Sequence, residues 1–470
     1  MIPRVDEERL GDMVRKCLLL VIAIIMAMGL VGCAPKGPAT VDVLPHEPVR
    51  MPIDMPALAE MEVQCPSEPG ATDPNATHLI WMAPSFWPDL AAVVAAFEAQ
   101  YPQIHVELYT VNPAGYFETS RQWLANGCVT PDVLNIPVEQ SANYAAYGWL
   151  APLWNQFTFD QKEDWIQALR KSGRYAQELY SAPFSTSTGL LFFNQDAFTQ
   201  ANLKLPAEDE RWTWEKVIQA AQTLTRDENN DGTPEIWGLA WESQTPYQLL
   251  PLAQSLGGSA IDADGKTVVG VIDAPPWVKA FTFYGKVFNE WKVAPKEDTF
   301  QAVEAFMDGK LAILVGKAEL INQFEQLDFA WGVGHYPYFN EGTLVLPTGD
   351  WQLAVNAKSA HQQAAMTLLT WLTTTPGGEA LWRTGNLSLP AEKTVLGLFE
   401  AAPVLAAPPQ AYWKLAASEA LVFTLPGPIT PFYTVYDQHL QEAFQNIRNG
   451  ADAQSVLSDA AQRLTTEIRK

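Results

Sequence analysis

The sequence predicts an α/β fold on three observations. Patterns typical of strands and of helices alternate along the chain from residue 77 onward. Hydrophobic residues make up 48% of the 470 positions and charged residues 18%, so a large core can form and global disorder is excluded. No internal repeat is visible in the sequence. Such an alternation favours a parallel sheet covered by helices, and the length suggests about two or three domains.

The first elements alternate between strand and helix periods of hydrophobicity. The predicted order is a strand at 78–82, a helix at 90–101, a strand at 104–108, a helix at 116–126 and a strand at 133–136. Gly127 ends the second helix. This order indicates that a parallel sheet begins the body of the protein.

The alternation continues to the last residues. Further strands are predicted at 190–193, 236–241, 311–315 and around 354–355, and further helices at 214–224, 277–291, 361–372, 433–447 and 453–468. Thr213 can cap the first of these helices. Pro275 and Pro276 precede the second, because Pro fits the first turn of a helix.

The N-terminus has the features of an export signal. Arg15 and Lys16 precede an apolar run at 17–31, which is short for a bilayer span of about 20 residues. The tetrad LVGC at 30–33 resembles the bacterial lipobox. This resemblance implies a signal peptide at 1–32 and a lipid on Cys33 that anchors the protein at the extracytoplasmic face of the cell membrane. The alternatives are a plain signal anchor, or cleavage without lipid.

Residues 33–76 are rich in Pro, which favours an extended tether between membrane and body. Beyond the signal and Cys33, the cysteines are Cys65 and Cys128. An oxidising compartment allows them to form one disulfide, and the alternative is two separate buried thiols. The six histidines are scattered and show no zinc-binding spacing.

The charge balance restricts the partners. The chain has 30 Lys and Arg against 53 Asp and Glu, a net charge of −23. Such an acidic protein is a poor partner for nucleic acid or for an anionic membrane surface. Neutral or cationic ligands fit it better than polyanions.

Seven motifs follow one another in an order that resembles the extracellular solute-binding protein family 1, the sugar-type binding proteins of ABC importers. They are PDVL at 131–134, GWLAPL at 148–153, FNQDAF at 193–198, WTWE at 212–215, EAFMDGKLAI at 304–313, GVGHYP at 332–337 and GNLSLP at 385–390. Each motif is weak alone, and the order is specific.

This resemblance implies a two-lobed fold, in which each lobe is a mainly parallel sheet flanked by helices and the ligand lies in the cleft between them. The first lobe would comprise 77–185 and about 345–390, and the second 186–340 and about 391–470. It also implies a monomer without a required cofactor that captures a carbohydrate and delivers it to ABC importer permease subunits. The alternatives are an extracellular glycoside hydrolase, which needs two placed carboxylates, and a ligand-sensing lipoprotein without a transport role.

Ligand residues are expected beyond the carboxyl ends of strands, where ligands of α/β sheets bind. Aromatic rings can stack on sugar faces, and carboxylates and amides can bind hydroxyl groups. From strand ends and from positions that match the family, the candidates are Phe86, Trp87, Asn135, Glu139, Ser185, Thr186, Tyr247, Asp350, Trp351 and Tyr433. The alternative for each is a purely structural role.

One position departs from the family pattern. After the strand at 311–315 the family frequently has Gly-x-Trp, whose Trp stacks on sugar, whereas here Gly316 is followed by Lys317 and Ala318. Another aromatic residue would then have to stack on the ligand, or the ligand differs.

The segment 227–232, DENNDG, matches the start of a calcium loop. Asp227, Asn229, Asp231, Thr233 and Glu235 would supply the oxygen ligands of a structural calcium ion. An EF-hand would place Glu at the twelfth position, where Gly238 stands. The alternative is an Asn/Asp/Gly turn without an ion.

Overall fold

The computed structural model describes residues 64–67, 76–87, 89–297, 299–383 and 389–468. These residues belong to one compact unit, Arg50–Lys470. The predicted signal peptide at 1–32, Cys33 and most of the predicted tether lie outside the described residues. Among the described helices, none combines the length and apolar character that crossing a bilayer requires.

The first sheet is built mainly from the N-terminal part of the body. Its strands are β1 (Thr77–Pro84), β2 (Ile104–Val111), β3 (Val133–Pro137), β6 (Ala182–Pro183) and β12 (Trp351–Val355), in the order β2-β1-β3-β12-β6. β1 runs parallel to β2 and β3, and β12 is antiparallel to β3 and β6. A hairpin of β4 (Arg174–Tyr175) and β5 (Glu178–Leu179) precedes β6.

The second sheet is centred on one long strand. Its strands are β7 (Ser185–Asn194), β8 (Trp237–Trp241), β9 (Leu311–Lys317) and β10 (Trp331–Gly334), in the order β10-β7-β9-β8, and the short strands β11 (Thr348–Gly349) and β13 (Leu389–Pro390) also pair with β7. β7 is antiparallel to β9 and β10, while β8 and β9 are parallel. β7 follows the first sheet after a single residue, Phe184, and therefore carries the chain directly from one sheet into the other.

Helices cover both sheets. They are α1 (Leu90–Gln100), α2 (Pro113–Ala125), α3 (Ser141–Ala146), α4 (Phe159–Asp164), α5 (Gln167–Ser172), α6 (Gln195–Gln200), α7 (Trp214–Leu224), α8 (Pro246–Ser255), α9 (Pro275–Asn289), α10 (Ala302–Met307), α11 (Leu320–Phe324), α12 (Gln362–Leu372), α13 (Thr375–Arg383), α14 (Lys393–Ala401), α15 (Tyr412–Ala420), α16 (Tyr433–Arg448) and α17 (Ala453–Ile468). Short 3₁₀ turns lie at Val138–Gln140, Trp154–Gln156 and Pro403–Leu405.

Local chemistry explains several helix starts. The Thr213 hydroxyl accepts a hydrogen bond from the Lys216 backbone amide at 3.3 Å, which confirms the predicted cap of α7. Asn112 caps α2 in the same way, ahead of Pro113 in the first turn. A capping box at Thr158 and Gln161 begins α4.

Each sheet has its own apolar core. In the first, Leu79 and Trp81 of β1 pack with Val93 and Phe97 of α1 and with Leu369 of α12. In the second, helices α7, α8, α9, α16 and α17 enclose one face of β7–β9, and α10, α14 and α15 cover the other.

The two-lobed α/β prediction is confirmed, with one correction to the strand directions. The sheets are mixed rather than mainly parallel, and the second contains a single parallel pair among its four main strands. Parallel neighbours need a crossover connection. β7 enters the second sheet directly from the first lobe, without such a crossover. Its main partners, β9 and β10, come much later in the chain and pair with it in the antiparallel direction.

Cys65 and Cys128 form a disulfide, with their Cα atoms 5.6 Å apart. The Thr130 hydroxyl also donates a hydrogen bond to the Pro66 carbonyl at 2.6 Å. The short described segment 64–67 is thereby fixed to the loop that precedes β3.

Candidate functional site

A cavity opens between the two sheets and contains residues from both lobes. It encloses about 550 Å³, including its open mouth. Glu139 and Ala142 lie on the side of the first sheet, and Tyr247 and Gln254 on the side of the second. Tyr433, at the start of α16, completes the wall with the Pro-rich loop 425–429.

The positions of these side chains follow from strand ends. Glu139 comes directly after β3, in the 3₁₀ turn Val138–Gln140, and Tyr247 lies in the first turn of α8, just beyond β8. Both strands therefore point their carboxyl ends toward the cavity, as expected for ligand sites of α/β sheets.

A polar cluster lies beside Tyr247 and is held by β7. The hydroxyl of Ser185 donates a hydrogen bond to Asp350 Oδ2 at 2.5 Å, and that of Ser187 donates to Glu319 Oε2 at 2.7 Å. Alternate residues of one strand thus hold a carboxylate that follows β11 and a carboxylate that follows β9. Each of these acidic side chains is only partly exposed.

Lys317 supplies the basic group of this cluster. Its Nζ lies 5.0 Å from the centre of the Tyr247 ring, a cation–π arrangement. Glu242 Oε2 accepts a hydrogen bond from the Lys317 backbone amide at 2.8 Å and another from Gln248 Nε2 at 3.0 Å. Ala318 stands where the family pattern places a stacking Trp, and the ammonium group of the preceding residue, Lys317, covers the Tyr247 ring.

The cluster perturbs the pKa values of its carboxyl groups. Burial, together with the charge of Asp350, raises the pKa of Glu139 to about 7 and that of Glu319 to about 7. Burial raises the pKa of Asp350 to about 6, against the hydrogen bond from Ser185. Burial opposes the charge on Lys317, but the carboxylates around it raise its pKa above the usual range.

Asp350 has an unusual backbone. Its φ is +134°, which L-residues other than Gly rarely adopt. Its carbonyl accepts a hydrogen bond from the Val138 amide at 3.0 Å, and its carboxylate is held by Ser185. These contacts fix Asp350 between the two lobes.

An aromatic surface continues from Asp350 along the first lobe. The Trp351 ring is stacked parallel to that of Phe117, with centroids 5.9 Å apart and planes at 2°, and contacts Phe86 at 5.9 Å. The exposed fractions are 48% for Phe86 and 40% for Phe117. Tyr116 and Trp87 support Trp351 from the core at 5.3 and 5.7 Å. Asp350 of the polar cluster and Trp351 of the aromatic surface are consecutive residues.

Seven of the predicted ligand residues lie at the cavity, in the polar cluster or on the aromatic surface. Glu139, Tyr247 and Tyr433 line the cavity, Ser185 and Asp350 belong to the polar cluster, and Phe86 and Trp351 belong to the aromatic surface. The Tyr433 hydroxyl lies 3.4 Å from Asp437 Oδ1, and burial raises the pKa of both groups.

The remaining three predicted residues are buried in the walls. Asn135 has no exposed surface, and its Oδ1 accepts a hydrogen bond from the Trp81 indole at 2.8 Å. Thr186 is also fully buried, at the pairing of β7 with β13. Trp87 is 6% exposed and packs on Phe184. Their positions support the site rather than open into the cavity.

Several residues of the site were not predicted. Ser187, Glu242, Lys317 and Glu319 belong to the polar cluster, and Phe117 belongs to the aromatic surface. The rule that ligands bind beyond strand ends would have found Glu242 after β8 and Glu319 after β9. Phe117 gave no comparable signal, because it lies inside a helical pattern.

The proposed calcium segment forms a turn closed by its own side chains. Asp227 accepts hydrogen bonds from the backbone amides of Asp231 and Gly232 at 3.1 and 2.8 Å. Asn229 also accepts from the Asp231 amide, Asp231 from Thr233, and Glu235 from Glu228. Across the described residues, no group of three or more His, Cys, Asp or Glu side chains has a geometry that could hold a metal ion. Calcium binding here stays a prediction.

Comparisons with known proteins give consistent matches. A family model described as bacterial extracellular solute-binding protein matches residues 87–379. The mannitol-binding protein of Pseudomonas aeruginosa is 24% identical over 297 residues, 60% of this chain and 65% of that protein. The sn-glycerol-3-phosphate-binding periplasmic protein of Rhizobium meliloti is 24% identical over 187 residues, 39% of this chain and 42% of that protein.

A solved structure shares the fold across most of the chain. It is an ABC substrate-binding protein of Listeria monocytogenes in complex with cycloalternan, with a TM-score of 0.70 and 23% identity over 83% of this chain and 98% of that chain. The match to each of the two curated relatives spans less than two thirds of the relative's own length.

Proposed function

The chain belongs to the bacterial extracellular solute-binding protein family, as its motif order predicts, and we propose that it captures a carbohydrate outside the cytoplasm and delivers it to an ABC importer. The observation that carries this proposal is a cavity between the two lobes that is lined by a carboxyl group, Glu139, and two aromatic residues, Tyr247 and Tyr433. A sugar presents C–H faces to aromatic rings and hydroxyl groups to carboxylates. Closure of the lobes would then enclose the ligand.

A neutral or cationic ligand is favoured over an anionic one. The relatives are named for mannitol and for a glycerol phosphate, and the matched structure contains a cycloalternan. Beside the cavity of this chain, Lys317 faces the carboxyl groups of Glu139, Glu319 and Asp350. A phosphate placed there would meet more negative than positive charge, which disfavours its binding. We therefore do not propose a glycerol phosphate as the ligand of this protein.

The proposed activity is binding without chemical change. The family is described by solute binding, which supports this assignment. A glycoside hydrolase would need one carboxyl group as acid and another as base or nucleophile on either side of the bond. Incubation with glycans followed by product analysis tests this rival, and cleavage products would favour the hydrolase.

The protein is further proposed to be lipid-anchored through Cys33 and to act as a monomer. The LVGC tetrad at 30–33 supports the anchor. An anchored binding protein would remain near the permease subunits that receive its ligand. A ligand-sensing role without transport is the alternative, and uptake of the captured sugar in cells with and without the protein distinguishes the two.

A thermal-shift screen over neutral sugars, polyols and amino sugars tests carbohydrate capture. A ligand that binds only the native state adds RT ln(1 + [L]/Kd), about 2.7 kcal/mol at a concentration of 100 Kd. The expected result is a concentration-dependent rise in melting temperature with at least one member, confirmed by calorimetry. The absence of any shift or binding heat across the panel would reject carbohydrate capture.

A further inference from the structure

The polar cluster beside the cavity carries an excess of negative charge. The positive charge of Lys317 lowers the pKa values of Glu139, Glu319 and Asp350. The acidic groups that act on Lys317, Tyr247 or Tyr433 are Glu139, Glu242, Glu319, Asp350 and Asp437. The Lys317 ammonium group therefore faces four carboxyl groups, and a fifth, that of Asp437, acts on Glu139 and Tyr433.

Part of this cluster has hydrogen-bonding capacity left over. Glu319 uses Oε2 to accept from Ser187, while its Oε1 is buried without a partner among the described residues. The Thr348 hydroxyl, which lines the cavity, is likewise buried without a partner there. Buried polar atoms without partners are costly unless a ligand or water supplies the bond.

The same place already accommodates an ammonium ion. Lys317 Nζ lies over the face of Tyr247, surrounded by carboxylates that raise its pKa despite burial. The cluster thus provides the environment that a cation needs once it leaves water, namely an aromatic face and oxygen acceptors. After Lys317 is neutralised, several carboxyl groups still lack a counter-charge.

From this geometry we propose that the ligand is an amino sugar, or an oligosaccharide that contains one, whose protonated amine binds between Glu139, Asp350 and Glu319. The proposal rests on the carbohydrate-binding function proposed above and specifies the class of carbohydrate. A neutral sugar leaves the excess negative charge in a site removed from water, whereas an ammonium group reduces it.

Without a ligand, the carboxyl groups of this site are partly protonated. Burial raises the pKa values of Glu139, Glu319 and Asp350 to between about 6 and about 7, and the charge of Asp350 adds to the rise at both glutamates. An ammonium group beside these carboxyls favours their ionised forms, so binding of the amine expels protons. Glu242, Asp437, Tyr247, Tyr433 and Lys317 face the same space.

The test compares sugars that differ only at one substituent. Glucosamine, mannosamine and galactosamine are titrated beside glucose, mannose and galactose, and the β-1,4 trimer of glucosamine beside its N-acetylated form and cellotriose. Calorimetry at about pH 6.5, where the amines are protonated, is run in two buffers of different ionisation enthalpy. The expected result is about tenfold tighter binding of an amine than of its hydroxyl counterpart, with net proton release.

Two variants test whether the preference for an amine arises at this cluster. Glu139→Gln removes one carboxylate that lines the cavity and is expected to lower the ratio of amine to hydroxyl affinity about tenfold. Glu304→Gln makes the same change at an exposed position on α10 and is expected to leave the ratio unchanged. A ratio that falls equally in both variants would contradict the assignment of the amine to this cluster.

The outcomes separate the two proposals. If a neutral sugar or an N-acetyl sugar binds as tightly as its amine counterpart, the amino-sugar inference is overturned and carbohydrate capture stands. If an amine binds more tightly without proton release, its placement between the three carboxyl groups is overturned. If no sugar of either kind binds, carbohydrate capture is rejected and this inference with it.

Discussion

Trp351 lies among four aromatic rings and still keeps part of its surface exposed. It follows Asp350, whose carboxyl group accepts a hydrogen bond from Ser185. This combination makes Trp351 the residue whose ring is best placed to stack on a sugar.

Trp351→Ala is expected to weaken binding of the sugar found by screening about tenfold to a hundredfold, because truncation removes stacking worth about 1–3 kcal/mol. Calorimetry measures the affinity, and thermal unfolding shows whether the variant folds. Trp81→Ala is the control: Trp81 is fully buried, so this change is expected to cost about 3–5 kcal/mol of stability. Unchanged affinity in a stably folded Trp351→Ala protein would remove Trp351 from the site.

Glu392 is a buried carboxyl group at the start of α14. It has no exposed surface, and neither carboxyl oxygen has a hydrogen-bond partner among the described residues. Burial, and secondarily the charge of Asp164, raises its pKa from 4.5 to about 8. The folded protein therefore keeps this proton at pH values at which the unfolded chain has lost it.

Glu392→Gln is expected to stabilise the protein increasingly as pH rises. Below the unfolded pKa both states are protonated and the substitution has little effect. Between 4.5 and about 8 the native chain loses stability relative to the variant, by up to about 1.4 kcal/mol per pH unit, and above that range the difference is constant. Melting temperatures of both proteins across this range check the prediction, and a difference independent of pH would contradict it.

Glu419 provides the matched control with the opposite sign. Burial opposes its ionisation, yet hydrogen bonds with His335 and Arg211 lower its pKa below the usual value. Its ionised form stabilises the fold above the unfolded pKa, and that contribution is lost as pH falls through the folded pKa. Glu419→Gln is therefore expected to destabilise the protein at neutral pH.

At the scale of elements, periodicity predicted the long and regular segments well. The helix predicted at 214–224 is Trp214–Leu224, and that at 453–468 is Ala453–Ile468. Their apolar stripes are complete because one face of each packs on the core along its length: α7 on β8, and α17 on α9 and α16. Helix α9 ends at Asn289, two residues before the predicted end, since Trp291 packs on Phe283 from beyond the helix.

Hydrophobic periodicity could not predict the short elements or the directions of the strands. Helices such as Phe159–Asp164 and Ala302–Met307 are too short to show a period. The strand predicted at 190–193 begins at Ser185, because Ser and Thr residues at its start pair with β11 and β13, which come from distant parts of the chain. The polar cluster depends on these long-range pairings, so the sequence identified several of its members but not their contacts.

The disulfide links the two ends of a segment that contains two strands and two helices. Cys65 and Cys128 enclose β1, α1, β2 and α2, a stretch with a sequence separation of 63. Cross-linking such a loop restricts the unfolded chain more than the folded one.

Replacing both cysteines by Ser is expected to lower the free energy of unfolding by about 2–4 kcal/mol. Denaturant unfolding with and without reductant measures this loss in the parent protein. The double variant is the control, because reductant should leave its unfolding unchanged. Intact mass after alkylation of the unreduced protein would contradict the disulfide if it showed two modified thiols.

At the scale of the whole molecule, the predicted lipid would decide where the cleft operates. The LVGC tetrad at 30–33 predicts that Cys33 carries the lipid and that export removes 1–32. Two acyl chains or more anchor a protein stably, whereas one does so only marginally. The Pro-rich tether would then hold the two lobes away from the bilayer.

Cys33→Ala is expected to abolish labelling of the protein by a palmitate analogue in cells and to release it from the membrane fraction. Fractionation and gel fluorescence measure both effects. Cys17→Ala, within the predicted signal, is the control and should be labelled like the parent. Equal labelling of Cys33→Ala and the parent would reject the anchor.

The backbone conformation of Asp350 implies that fold stability and ligand binding favour different residues at this position. Holding a residue with a side chain at φ +134° costs about 1–3 kcal/mol, which Gly would largely avoid. Asp350→Gly is therefore expected to yield a protein that melts higher and binds its ligand more weakly, measured by unfolding and calorimetry, and lower stability with intact binding would contradict it. Stability alone does not account for an aspartate at this position, and a role of its carboxylate in ligand capture does.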